Sequence, residues 1–266
     1  MTTRKPAQLL LAFYGEMVMD RDNQPVPASL LLDVLDGAGI APATTRATLN
    51  RMAHRSMLTR VRTGRAIAYG LTKEGSEVLR EAGMRVNRPR PFDPQGSGWT
   101  LVTFSVPEGQ RQLRHRLRAT LTWAGFAPLR DGLWVAPGEV DLSAALHPLA
   151  RELPEGTLTG FLAREAPNFA MGANVESAWQ LGDIRAAHLA FAEDWREAPA
   201  PAGATPALTA RTALVADWLA LLRTDPGLPS GYLGADWPSD ASTAIYRSRH
   251  TELAADSEQE LLAGMP

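Results

Sequence analysis

Between Gly37 and Lys73 the chain carries no aspartate or glutamate, although seven of its residues are cationic. The cations are Arg46, Arg51, Arg55, Arg60, Arg62, Arg65 and Lys73. A helix-like pattern over 43–56 precedes a hairpin-like pattern over 57–71. A solvated surface would normally mix in carboxylates, so this segment is expected to meet a polyanion. A cationic helix followed by a cationic β-ribbon suits the major groove of duplex DNA and its flanking phosphates.

The elements around this segment follow the order of a winged helix-turn-helix. Apolar periodicity predicts a first helix over 7–19 and a second over 28–36, before the third helix and the hairpin. Thr45, Leu49 and Met52 recur at i, i+4 and i+7, so they are expected to face the core. The second and third helices then form the turn unit, the third helix reads DNA, and the hairpin is the wing.

The outward face of the third helix and the wing supply the candidate DNA contacts. Arg46 and Asn50 lie one turn apart on a single helical face, where Arg matches guanine and Asn matches adenine. Arg51 and Arg55 lie further round the helix and are better placed for phosphates, while the wing arginines are expected to touch the backbone or the minor groove. The predicted DNA-binding residues are Thr44, Arg46, Asn50, Arg51, Arg55, Arg60, Arg62 and Arg65. The alternative is a winged-helix scaffold that binds only protein.

Charge is divided unevenly along the chain. Residues 1–90 contain 14 Lys and Arg against 8 Asp and Glu, whereas residues 91–266 contain 13 against 21. This asymmetry favours a polyanion-binding module joined to parts with another role. The absence of cysteine excludes disulfides, thiolate catalysis and cysteine-ligated metal sites. Because no signal-peptide pattern and no apolar run of membrane-spanning length is found, a cytoplasmic protein without a membrane partner is expected.

Composition divides the rest of the chain into a linker and two further domains. The Pro- and Gly-rich stretch 87–98 is expected to be a linker after the winged helix-turn-helix domain 1–86. From 99 to 168 the pattern is that of a ferredoxin-like βαββαβ domain, and 169–266 is expected to be a helical C-terminal domain. The predicted fold class is therefore α+β. Beyond the linker, helices are expected over 110–123, 142–153, 172–196, 207–223 and 238–262.

The ferredoxin-like domain raises an alternative function, a metal-dependent nucleic-acid-processing enzyme. Nucleases of this fold place an aspartate near the end of the first strand, where it binds a divalent metal. Here the nearest carboxylate is Glu108, which follows Pro107 outside the strand. A single carboxylate is a weak Mg²⁺ site. Since no catalytic constellation or phosphate-binding loop stands out either, no enzyme activity, metal or cofactor is expected.

Arginines also crowd the helix predicted after Pro107. Arg111, Arg114 and Arg118 recur at i, i+3 and i+7 and form one stripe. Two interpretations stay open. The stripe is a solvated face that pairs with acidic groups of the same chain, or it is an anion site for a nucleotide-bearing effector.

Long segments of the chain resemble the PaaX family of bacterial repressors, which control phenylacetic acid degradation and related catabolic operons. The similar segments are LLLAFYGEMV near the start, APATTRATLNRMAHRSML and TGRAIAYGLTKEG in the winged helix, WTLVTFSVPEGQRQLRHRLRATLTWAGFAPLRDGLWVAP in the middle, and DPGLPSGYLGADWP near the end. The middle segment is the most specific, because a winged helix alone occurs in many regulators.

The resemblance implies an N-terminal winged helix, a central domain similar in fold to the Cas2 nuclease, and a helical C-terminal domain. It also implies a homodimer on a palindromic operator, released from DNA by an aryl-acyl-CoA such as phenylacetyl-CoA. Arg46 and Arg51 match the family's reader-helix arginines, and Gly64–Arg65 matches the wing turn. Thr45 stands where family members tend to have an apolar residue, and the segment 47–48 also differs, so a different operator sequence is expected.

Overall fold

The computed structural model of the chain describes residues 4–19, 24–64, 66–86, 88–130, 132–150, 152–168, 171–197 and 206–265. The chain divides into two compact units. The first is made from Met1–Pro89, Leu189–Leu221 and Asp240–Pro266, and the second from Arg90–His188 and Leu222–Ser239. Each unit is therefore assembled from segments that lie far apart in the sequence.

The first unit begins with the predicted winged helix. Its elements are α1 (Pro6–Met17), β1 (Val26–Pro27), α2 (Ala28–Gly37), α3 (Pro42–His54), β2 (Leu58–Thr63), β3 (Ala66–Leu71) and α4 (Lys73–Val86). Pro42 opens α3, where its missing N–H costs no hydrogen bond. Thr72 caps α4, because its hydroxyl accepts a hydrogen bond from the Gly75 N–H at 3.0 Å. The strand β1 was not predicted, since two residues are too few to show an alternating pattern.

A small antiparallel sheet holds the hairpin against the helices. Its strand order is β1-β3-β2, so β3 is the central strand. In the register of the hairpin, Arg60 lies opposite Tyr69 and Arg62 lies opposite Ile67. The helices α1, α2 and α3 each contribute fully buried apolar side chains to the core of this unit. These side chains include Leu9, Phe13, Leu31, Leu35 and Leu49, each no more than 1% exposed.

The second unit is built on a four-stranded antiparallel sheet. Its elements are β4 (Trp99–Phe104), α5 (Arg111–Trp123), β5 (Ala127–Arg130), β6 (Leu133–Pro137), α6 (Leu142–Leu146) and β7 (Leu158–Ala163). The order β5-β6-β4-β7 is that of a ferredoxin-like βαββαβ fold. The core on the helix-covered face contains Val102 and Trp134 from the sheet and Leu117 and Leu121 from α5. The mixed α+β class is thus confirmed.

The second helix of this domain is shorter than predicted. A helix was expected over 142–153, but α6 ends at Leu146 and the chain continues as a 3-10 turn over His147–Leu149. Pro148 has no backbone N–H, so it cannot continue the α-helical hydrogen-bond ladder. Asp141 begins the helix, because its side chain accepts hydrogen bonds from the N–H groups of Ser143 and Ala144.

The remaining helices are α7 (Gly172–Trp179), α8 (Leu181–Arg196), α9 (Ala207–Thr224), α10 (Ser239–Glu252) and α11 (Ala254–Gly264). The helix predicted over 172–196 is wrong in one respect, because it breaks at Gln180. That residue has φ 50° and ψ 61°, a left-handed conformation that no feature of the sequence marks there. The helix predicted over 238–262 likewise divides, at Leu253.

The C-terminal helices pack on the winged helix within the first unit. Arg211 of α9 donates a hydrogen bond to Glu16 Oε1 of α1 at 2.5 Å, and His250 Nε2 of α10 lies 2.7 Å from the same oxygen. The Thr209 hydroxyl of α9 donates to the Val34 carbonyl of α2 at 3.4 Å. The region predicted as a C-terminal helical domain therefore supplies helices to the same unit as α1–α4.

The stretch predicted as a linker carries no helix or strand over its described residues 88–98. It is nevertheless anchored in the second unit. Phe92 is 6% exposed and meets the ring of His188 edge-on at a centroid distance of 4.7 Å. His188 in turn lies 2.9 Å from the Asp225 carboxylate, and both of these side chains are buried.

Candidate nucleic-acid interface

Helix α3 presents a polar and cationic face because its other face is buried. Thr45, Leu49 and Met52 are 0, 1 and 7% exposed, which confirms the prediction from helical spacing. Thr48 is also buried, and its hydroxyl donates to the Thr44 carbonyl at 2.9 Å, so burial leaves no unsatisfied donor. The residues on the outward face are exposed, as predicted; they are Thr44, Arg46, Ala47, Asn50 and Arg51.

The two arginines of this face differ in whether their guanidinium groups are hydrogen-bonded to the protein itself. Arg51 Nη2 donates to the Thr48 hydroxyl at 2.8 Å, which draws its guanidinium back along the helix. Arg46 is exposed and has no hydrogen-bond or ion-pair partner within the part of the chain that the structure describes. All its donors are therefore available to a ligand in front of α3.

A chain of two tyrosines joins α3 to the wing and to α1. The Tyr69 hydroxyl of β3 donates to Asn50 Oδ1 at 3.2 Å, and the Tyr14 hydroxyl of α1 donates to the Tyr69 carbonyl at 2.9 Å. Burial is the main cause that raises the pKa of Tyr14, with the charge of Tyr69 a smaller one, so its hydroxyl stays protonated as a donor. The network fixes the carboxamide of Asn50 relative to the hairpin.

The wing presents two arginines on the same side as Asn50. Arg60 and Arg62 alternate with Val61 along β2, so they share one face of the ribbon. Their cross-strand partners are Tyr69 and Ile67, which places both arginines on the sheet face from which Tyr69 reaches α3. Arg62 Nε donates to the Gly64 carbonyl at 3.1 Å, and both arginines are exposed.

The wing turn is only partly described. Gly64 has φ 61°, the left-handed conformation that glycine adopts without steric cost. Arg65, the remaining predicted contact, lies outside the described residues. The structure therefore places seven of the eight predicted site residues on α3 and β2 or directly after them.

The arginines of α3 and the wing are electrostatically unpaired. Among the described residues, no carboxylate forms an ion pair with any of them; the set is Arg46, Arg51, Arg55, Arg60 and Arg62. Other arginines of the same unit do find partners: Arg4 lies 2.7 Å from Asp217, and Arg211 lies 2.5 Å from Glu16. Asp217 and Glu16 thus neutralise cations elsewhere in the unit, and the arginines of α3 and the wing keep their charge unpaired.

Tyr69 is the interface residue that the sequence analysis missed. The residue fits the wing as a β-former, and nothing in its spacing shows that it reaches Asn50, 19 positions away. The available signal is the alternation of β3, which puts Tyr69 and Ile67 on one face of the ribbon. In the register of the hairpin, Tyr69 lies opposite Arg60 and Ile67 lies opposite Arg62. Combined with the alternation of β3, this register places Tyr69 on the same face as the two arginines.

Glu108, the carboxylate considered above as a metal ligand, lies in the second unit. Glu108 is exposed in a 3-10 turn, Glu108–Gln110, between β4 and α5. Over the ranges that the structure describes, no group of three or more His, Cys, Asp and Glu side chains could hold a metal ion. Glu108 therefore belongs to no such group.

Comparison with known proteins assigns the chain to a class and then to a family. Three family models match successive parts of the chain, the winged helix, the sheet domain and the C-terminal helices. The PaaX-like protein model matches residues 5–75, the PaaX protein central Cas2-like domain matches 93–166, and the PaaX-like protein C-terminal domain matches 179–263. The chain belongs to the PaaX family.

Among solved structures, one that is similar over nearly the whole chain shows the same fold. It is the uncharacterized protein Rv0674 from Mycobacterium tuberculosis, with a TM-score of 0.61 and 22% sequence identity. The match covers 97% of this chain and 99% of the other. At this identity the likeness supports the fold alone. No curated protein is similar enough to be matched to the chain.

Within the described part of the chain, no helix combines the length and the apolar character that crossing a membrane requires.

Proposed function

We propose that the chain is a transcriptional regulator that binds duplex DNA through α3 and the wing. The observation that carries the proposal is the set of exposed, unpaired arginines on these two elements, joined into one surface by the contact between Tyr69 and Asn50. Each Lys or Arg that neutralises a phosphate releases counterions, which is the main source of affinity for DNA. Membership of a regulator family agrees with this role.

The side chains divide into base readers and phosphate binders. Arg46 carries a free guanidinium fork, which suits the O6 and N7 acceptors of guanine in the major groove. Asn50 lies one turn further along α3, and its amide suits adenine. Arg51, Arg55 and the wing arginines contact phosphates, which fixes the position of α3 without specifying sequence. Arg65 and Thr44 complete the predicted set.

A hydrogen bond from the Tyr69 hydroxyl orients the Asn50 side chain for contact with a base. The Tyr69 hydroxyl occupies one lone pair of Asn50 Oδ1 and leaves the NH₂ group and the second lone pair for a base edge. Replacing Tyr69 by phenylalanine removes only that hydrogen bond. We expect the variant to lose about 1 kcal/mol of discrimination between the operator and unrelated duplex, the typical net value of one hydrogen bond. Competition binding with both duplexes measures this.

Tyr14→Phe is the matched control for Tyr69→Phe. It removes a hydroxyl of the same type from the same chain of contacts, but Tyr14 donates to the Tyr69 carbonyl and not to Asn50. This variant is expected to lose about 1–2 kcal/mol of folding stability, because a buried carbonyl loses its partner. Its discrimination between duplexes should equal that of the wild type. Equal discrimination by both variants would remove Tyr69 from the recognition surface.

The regulator acts as a repressor of a catabolic operon, and an aryl-acyl-CoA such as phenylacetyl-CoA relieves the repression. The support is the resemblance to PaaX repressors together with the family assignment. As a homodimer in the cytoplasm, the protein would present two α3 helices to the two halves of a palindrome. Release requires that the effector bind one arrangement of the protein more tightly than the other, which is a coupling free energy between two sites.

The test is a gel shift with the duplex upstream of the gene, followed by titration of phenylacetyl-CoA. We expect a retarded band, and we expect the acyl-CoA to remove it while free coenzyme A does not. A complete absence of retarded duplex would favour a winged helix that binds only protein and would overturn the proposal. A retarded band that survives saturating phenylacetyl-CoA would retain DNA binding and eliminate this effector. Cleavage of the duplex in Mg²⁺ would support an enzyme instead.

A further inference from the structure

Helix α5 repeats the charge pattern of α3 in the acidic part of the chain. From Gly109 to Arg130 there is no aspartate or glutamate, and five arginines fall within these residues. They are Arg111, Arg114, Arg116, Arg118 and Arg130. Residues 91–266 as a whole are nevertheless acidic, since they carry 21 Asp and Glu against 13 Lys and Arg. The contacts of each arginine decide which of them is free to bind a partner outside the chain.

Two of the α5 arginines are accounted for by contacts within the second unit. Arg114 is half-buried, and its Nη2 donates to the carbonyl of Val106, which lies just after β4. Arg116 forms a two-point ion pair with Glu152, at 2.5 and 2.8 Å. Both guanidinium groups are occupied by partners within the unit and are not free for a ligand.

Arg111 and Arg118 have no such role. Both are exposed, and within the ranges described neither has a hydrogen-bond or ion-pair partner. They lie seven residues apart, two helical turns, so they project from one face and are separated by about 10.5 Å along the axis. The buried residues Leu117 and Leu121 face the sheet core, which leaves this face to solvent.

We infer that this face of α5, defined by Arg111 and Arg118, is a second phosphate-binding surface for duplex DNA. The inference rests on the proposed function, because duplex DNA is the partner proposed there. A duplex strand presents one phosphate about every 3.4 Å of its axis, so a stripe of this length spans several phosphates. Contacts of this kind add affinity that does not depend on sequence.

The shape and charge of the surroundings favour an extended polyanion over a small anionic ligand. Sites for small molecules are concave and bury most of the ligand. The depression at the start of α5 is open, and Arg111 shares its lining with Glu108 and Glu152. These carboxylates would repel a compact anion placed there. Arg118 is not part of that lining, so the stripe extends along α5 beyond the two carboxylates, as binding to an extended row of phosphates requires.

The test compares the salt dependence of duplex binding by the full-length wild type and by Arg111→Gln/Arg118→Gln. Each lost phosphate contact makes the slope of log K against log salt shallower by about 0.9, so the variant is expected to be shallower by about two. The matched control is Arg116→Gln/Arg185→Gln. It changes the net charge equally but removes arginines that are ion-paired, with Glu152 and Asp236. The control slope should equal that of the wild type.

Different outcomes separate this inference from the proposed function. If the wild type binds duplex and the Arg111→Gln/Arg118→Gln slope is unchanged, the α5 surface is overturned while the winged-helix assignment stands. If the test variant and the control change the slope equally, the effect is one of net charge and the inference fails. If the wild type binds no duplex, both fail. A variant that keeps the duplex slope but loses binding to single-stranded RNA would assign the stripe to a different partner and overturn the inference.

Discussion

Replacing Glu16 by alanine is expected to lower the free energy of unfolding by about 3 kcal/mol, the low end of the range for breaking a buried ion pair. Glu16 Oε1 is shared by Arg211 at 2.5 Å and His250 at 2.7 Å. The Glu16 and Arg211 side chains are only 17% and 10% exposed, so the variant leaves a guanidinium without its counter-charge. Denaturant unfolding followed by circular dichroism measures the loss.

Two further variants isolate the cause of that loss. The double variant Glu16→Leu/Arg211→Met replaces both charges by apolar groups and should recover most of the stability, because no buried charge is then left alone. Glu252→Ala removes an ion pair of the same unit, Arg249–Glu252, whose carboxylate is 41% exposed. That change should cost no more than about 0.5 kcal/mol. Equal losses of unfolding free energy for Glu16→Ala and Glu252→Ala would contradict a special role for the cluster of Glu16, Arg211 and His250.

The same cluster gives the stability a dependence on pH. Burial raises the pKa of Glu16, but the hydrogen bonds and charges of His250 and Arg211 outweigh burial and hold it below its ordinary value of 4.5. A carboxyl with a lowered folded-state pKa contributes stability above its unfolded pKa and loses that contribution as pH falls through the folded one. The stability difference between wild type and Glu16→Gln should therefore shrink as the pH is lowered below 4.5.

Replacing Arg46 by alanine is expected to weaken operator binding by about 1–3 kcal/mol, the value of one bidentate contact to a base. Arg46 is exposed on the outward face of α3 and its guanidinium makes no ion pair with a described residue, so its removal leaves the fold intact. Binding to unrelated duplex should weaken much less, because only phosphate contacts operate there. Titrations of wild type and variant with the operator and with a scrambled duplex measure the loss of binding free energy for each.

Arg46→Lys separates the charge of Arg46 from its shape. Lysine keeps the positive charge but lacks the planar fork that matches guanine at two points. This variant should bind unrelated duplex as the wild type does and still lose part of its preference for the operator. If Arg46→Ala instead weakened both duplexes by the same factor, Arg46 would be a phosphate contact and the base reader would lie elsewhere on α3.

Local patterns were sufficient to predict the surface of the winged helix. The spacing of Thr45, Leu49 and Met52 fixed the buried face of α3, and the outward side chains followed from it by geometry. The hairpin could be predicted in the same way, since side chains alternate along a strand and Arg60 and Arg62 therefore lie on one side of β2. The order of strands and helices between 99 and 163 likewise predicted the ferredoxin-like sheet, because each element carries its own periodicity.

Contacts between distant residues were out of reach of these patterns. Tyr69 meets Asn50 across 19 positions, and Glu16 meets Arg211 across 195. Periodicity reports which face of an element is buried, but it does not report what that face packs against. The break at Gln180 was missed for a related reason, since a left-handed residue other than glycine leaves no compositional mark. Contacts between residues that are distant in the sequence, such as that of Tyr69 with Asn50, are therefore seen only in the structure.

The most direct test of the cationic winged-helix surface is the salt dependence of duplex binding by the wild type and by Arg60→Gln/Arg62→Gln. Both arginines are exposed on the ribbon face that Tyr69 shares. If each neutralises one phosphate, the slope of log K against log salt becomes shallower by about two, for operator and unrelated duplex alike. A variant whose slope and affinity match those of the wild type on both duplexes would contradict DNA binding by this surface.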